Sequence, residues 1–133
     1  MKKNYFPLTI LLAFFLPLTL SAQMYKLDDG MVGRVPVTFK EGSYIKIKDS
    51  VLELKINAHI YKSAVREFKI IEDQTKKFDD REIRTLRLLS KTDENLRVHG
   101  TIVTGENVRN TVSANYYDMT TQITIPYVIF LEN

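Results

Sequence analysis

Residues 44–56 read Tyr-Ile-Lys-Ile-Lys-Asp-Ser-Val-Leu-Glu-Leu-Lys-Ile, and their alternation decides the fold. Ile45 and Ile47 point one way, and Tyr44, Lys46 and Lys48 the other; beyond Asp49 and Ser50, Leu52, Leu54 and Ile56 oppose Glu53 and Lys55. A side-chain period of two on both sides of a two-residue polar break specifies a β-hairpin with one apolar and one wetted face. Just upstream, Arg34 to Lys40 alternates in the same way, with a turn at Glu41 and Gly42. Pro36 puts that strand at an edge, because proline has no N–H to give to a ladder.

Downstream, Phe68 to Ile71 is a short apolar run that fits a strand, and the polar stretch from Asp73 to Asp80 is expected to be a loop. Arg81 to Ser90 admits two readings. Asp79 and Glu82 resemble a capping box, with Ile83, Leu86 and Leu89 at helical spacing. Arg84, Leu86 and Leu88 equally line one face of a strand, and strand is expected here because β segments flank it on both sides. Lys91 to Asn95 forms a turn into a strand from Leu96 to Val103. Thr111 to Tyr117 and Gln122 to Leu131 are rich in Thr, Val, Ile, Tyr and Phe, as strands are, with a turn near Asp118 to Thr120. Ile123, Ile125, Tyr127, Ile129 and Leu131 share a face, which runs the last strand through the core. The expected architecture is all-β, an antiparallel meander of about 7–8 strands forming a small barrel or sandwich.

The first residues set the address. Lys2 and Lys3 precede an apolar run from Phe6 to Leu20, and Ser21 and Ala22 supply small residues for a peptidase. This pattern predicts a signal peptide over residues 1–22 and a single β-rich domain over 23–133. The run is shorter than the about 20 apolar residues that a membrane span needs, and Pro7 and Pro17 interrupt it. Lipidation would require a cysteine at the cut, and the chain has none. The expected product is exported, periplasmic or secreted, soluble and not a lipoprotein, without a membrane span after cleavage.

Cleavage also changes the electrostatics. The whole chain carries +3, but Lys2 and Lys3 leave with the signal, so 17 basic residues face 16 acidic ones, a net +1. Nucleic acid is therefore not an expected partner, since phosphate binding needs a clustered positive field, and Lys76 and Lys77 are answered at once by Asp79 and Asp80. Without cysteine there are no disulfide staples, so stability must come from apolar burial and backbone pairing.

The inventory for chemistry is thin. His59 and His99 stand apart, and no serine lies in a Gly-x-Ser-x-Gly elbow. The run from Gly100 to Gly105 lacks the Lys and Ser or Thr of a phosphate loop, and Gly100 reads as a bend in a strand. Asp28 with Asp29, and Asp79 with Asp80, lack the alternating spacing of a calcium loop and read as surface turns. No catalytic, metal or cofactor residue is assigned. An outer-membrane barrel is not expected either, since most strands are expected to be shorter than about 9–11 residues. Its outward positions would also carry Lys46, Lys48, Glu53 and Lys55.

A signal ending in Ser-Ala-Gln, followed by a compact string of hairpins, resembles small exported bacterial all-β proteins of unknown function and, more loosely, the lipocalin-like barrels. The likeness is one of layout. The lipocalin Gly-x-Trp motif is missing, since the chain has no Trp, so no binding residue is carried over. Tyr44, Tyr61, Tyr116 and Tyr117 are the candidate ligand contacts, because a tyrosine offers a flat apolar body with a polar tip. The expected role is a non-enzymatic domain that binds a small apolar or sugar-like ligand, or an envelope protein. The alternative is a hydrolase-like enzyme using scattered Asp, Glu and His.

Overall fold

The structure is a computed structural model that describes residues 22–58 and 64–133. Residues 1–21 of the expected signal peptide, and His59 and Tyr61, lie outside the described residues. The strands are β1 (Gln23–Val32), β2 (Val35–Thr38), β3 (Tyr44–Lys48), β4 (Val51–Ile56), β5 (Ala64–Lys77), β6 (Arg81–Ser90), β7 (Leu96–Gly105), β8 (Thr111–Asp118) and β9 (Ile123–Leu131). Every pairing is antiparallel, and β9 returns to β1, so β1 and β3 to β9 close an eight-stranded barrel. β2 is the extra strand: it pairs with Asp29 to Val32 of β1, while Gln23 to Lys26 of the same strand pair with β3.

The deciding hairpin behaves as its alternation requires. Ile45, Ile47 and Leu52 are buried on the inner wall, and Asp49 turns the chain in a left-handed conformation (φ 55°). Leu86 and Leu88 are buried as well, which is the parity of a strand over Arg81–Ser90 and not that of a helix. With Leu27, Phe68, Ile102, Val112, Ile129 and Leu131 these residues form the buried apolar core of the interior. Eight strands leave an interior just wide enough for side chains to fill or for one small ligand.

Two bulges shape the wall. At β1, the four residues from Leu27 to Gly30 oppose the three from Leu131 to Ile129 of β9, and a Cβ on Gly30 would collide with the Val128 carbonyl oxygen and sit 2.9 Å from the Ile129 Cα. Only glycine lets the closing strands come this near. In β5, Ile71 is the extra residue between Ile70 and Glu72, and its side chain is exposed.

β5 overturns the expected loop at Asp73 to Asp80. Residues as far as Lys77 pair with β6, including Thr75 with Arg84 and Lys77 with Glu82. The segment is polar because its outer positions meet water and, at the inner position opposite Leu86, Asp73 meets a guanidinium instead of an apolar side chain. The expectation of short strands is corrected too, since β1, β6 and β7 have 10 residues each and β5 has 14. Their outward positions nonetheless carry charge, with Lys46, Lys48, Glu53 and Lys55 joined by Glu67, Arg87 and Arg97.

Candidate ligand-binding cavity

The middle of the barrel is not completely filled. On the inner wall Gly100 of β7 stands between Leu86 of β6 and Ala114 of β8, so two neighbouring inner positions project at most a methyl group. The result is an apolar cavity of about 100 Å³, bounded by Phe68, Leu86, Leu88, Ile102, Val112 and Ile129 around the Gly100–Ala114 pair. A second space of about 160 Å³ adjoins it toward the end where β4 stops and β5 starts, lined by Val32, Phe39 and Ala64. Leu54, Ile56, Arg66 and Tyr127 line both.

The two ends of the barrel differ. One inner position below Leu86, Arg84 grips Asp73 through both carboxylate oxygens, at 2.9 and 2.7 Å, and also reaches Gln23 Oε1. The hydrogen bonds to Asp73, with a smaller contribution from Tyr25, hold the Arg84 guanidinium above its usual pKa despite partial burial. An ion pair thus plugs the lower end. At the upper end β9 continues past the core, and its inner-face residues Ile125 and Ile123 are 37% and 56% exposed. The last strand therefore runs through the core only in its second half.

The four candidate tyrosines separate. Tyr116 lines the cavity, accepts a hydrogen bond from Arg66 Nη1 at 3.4 Å, and meets Tyr127 edge to face with centroids 6.1 Å apart. Tyr117 faces outward between Arg97 and Thr124. Tyr44 is also on the outer wall, where its hydroxyl donates to Glu53 Oε2 at 3.0 Å beneath Lys55. That hydrogen bond, followed by partial desolvation and the Glu53 charge, raises the Tyr44 pKa. Tyr61 lies outside the described residues.

Other groups weighed from sequence have structural partners. Arg109 bridges to Asp29 at 2.8 Å and Asp28 at 3.5 Å while its guanidinium stacks on Phe130. Asp80 pairs with Arg81, whose hydrogen bond lowers the Asp80 pKa. His99 is exposed on the outer wall between Arg87 and Asn115. Among the described residues no three His, Asp or Glu side chains gather as metal ligands.

Arg66 and Tyr127 are the cavity residues that sequence reasoning did not select. Arg66 shares parity with Phe68, two residues on, and this would have placed it on the inner wall had the strand been started at Ala64. The chain matches no family model, no curated protein and no solved structure.

Proposed function

We propose that the chain is an exported, non-enzymatic β-barrel that takes a small apolar ligand into its interior. The observation that carries this reading is the void beside Gly100 and Ala114, about 100 Å³ walled almost wholly by carbon and adjoining a wider space toward the upper end. An apolar cavity of about 150 Å³ is known to stay dry and to admit benzene or xenon, whereas ordinary ligand pockets run to about 300–1,000 Å³. The ligand is therefore small. The charged outer wall supports a barrel surrounded by water, and the export-type segment supports work outside the cytoplasm.

Titrating the protein with octan-1-ol, followed by methyl NMR, tests this. Shifts should concentrate on Leu86, Ile102 and Val112, and Ala114→Phe, which fills the void, should abolish them while the fold persists. Shifts confined to outer-wall residues such as Val65 and Val128, or none at all, would discard interior binding in favour of a surface that meets another protein.

A further inference from the structure

We infer that the ligand carries a carboxylate, held by Arg66 and Tyr116 toward the upper end with its apolar tail directed into the cavity. The inference rests on the interior-binding reading above and names the chemistry of the same site.

Arg66 is an exposed residue on the inner-wall parity of β5 that lines both spaces, and among the described residues no carboxylate pairs with it. Arg81, Arg84, Arg87 and Arg109 each bridge to an Asp or Glu. Glu67, next to Arg66 in sequence, faces outward and binds Lys91. The residues outside the described set, 1–21 and 59–63, include no Asp or Glu, so no acidic side chain from there can answer Arg66 either. A guanidinium presents five N–H donors in a planar fork that matches a carboxylate edge, and Arg66 donates to Tyr116 alone among the described side chains. The Tyr116 hydroxyl, already accepting from Arg66, keeps its own proton to donate to the same anion. Around these two polar groups the lining is Leu54, Ile56, Phe39, Val32 and Ala64 with Tyr127, a mostly carbon wall that suits a hydrocarbon. One charged fork over an apolar shaft is complementary to a short monocarboxylate amphiphile.

The test compares octanoate, octan-1-ol and octylammonium on the full protein by isothermal titration calorimetry. Octanoate should bind at least about tenfold more tightly than octan-1-ol, the ratio that one charge-assisted hydrogen-bonded contact confers, and octylammonium more weakly than either. Arg66→Gln should bring octanoate down to the level of the alcohol bound by the same variant, whereas Arg66→Lys should retain part of the preference. Equal binding of octanoate and octan-1-ol to the unmodified protein would overturn the carboxylate and leave interior binding standing. Failure of all three to bind would overturn both. Because the first comparison varies the ligand and not the protein, it does not depend on how any variant folds.

Discussion

Gly100 and Ala114 are partners across β7 and β8, and a Cβ added to Gly100 would lie 3.6 Å from the Cβ of Ala114, an ordinary contact distance. The inner wall therefore has spare room at this height, beside Leu86, which is itself only 2% exposed. Ala114→Leu should hold or raise stability by up to about 1 kcal/mol, as cavity filling does. Leu86→Ala should cost about 3 kcal/mol by enlarging the void. Urea unfolding of the two variants checks the pair, and a large loss for Ala114→Leu would mean that the space is not there.

Gly30 should be far less tolerant than Gly100. Its missing Cβ makes room for the Val128 carbonyl, a backbone atom that cannot rotate aside as a side chain can. Gly30→Ala should destabilise by about 3 kcal/mol, at the top of the usual range for overpacking, while Gly100→Ala stays near neutral. Chemical denaturation of both single variants gives the comparison.

At the lower end, Asp73→Asn removes the charge that Arg84 grips. Breaking a deeply buried pair costs about 3–5 kcal/mol and a surface pair about 0–1. With side-chain exposures of 14% for Arg84 and 36% for Asp73, this pair should fall between, at about 1–2 kcal/mol. Glu72→Gln, which breaks the open Arg87–Glu72 pair, should cost less than about 0.5 kcal/mol. Thermal melts will order them, and equal losses would contradict the assignment of Arg84 as a plug.

The Tyr44 phenol should ionise above the ordinary value of about 10, since its hydrogen bond to Glu53 and the carboxylate charge both favour the protonated form. A folded-state pKa raised above the unfolded one adds stability that is fully present below the unfolded value and is lost as pH rises through the folded value. The Tyr44 contribution is therefore intact at neutral pH and fades in strong alkali. Ultraviolet titration of tyrosinate should show a late component that moves to lower pH in Glu53→Gln and disappears in Tyr44→Phe.

How much of this was legible in the sequence follows from where water meets each strand. Residues 44–56 announce themselves because one face is apolar and the other charged along their whole length. Arg81–Ser90 was readable as strand from its flanks, although Ile83, Leu86 and Leu89 imitate a helix. Asp73 to Lys77 was not readable, because its inner position is occupied by one half of an ion pair whose other half, Arg84, lies on the next strand. The cavity was hidden for a related reason. A void is a property of neighbours across strands, and nothing in the separate segments containing Gly100 and Ala114 says that they face each other. Tyr116 could be selected by residue type, but its partner Arg66 needed the strand boundary.

The bulge that brings Gly30 against Val128 also governs when the barrel can form. The pairing of β1 with β9 is the seam of the barrel, so every other pairing joins strands adjacent in sequence or, for β1 and β3, separated by β2 alone, while the seam waits for β9. Until Ile129 and Leu131 arrive, Leu27 has no partner on that side, and both β1 and β8 present bare ladder edges of the kind that pair between chains. Such non-local closure is slow compared with hairpin formation. The chain is therefore most exposed to association with its own copies in the interval between making β8 and sealing β9 to β1.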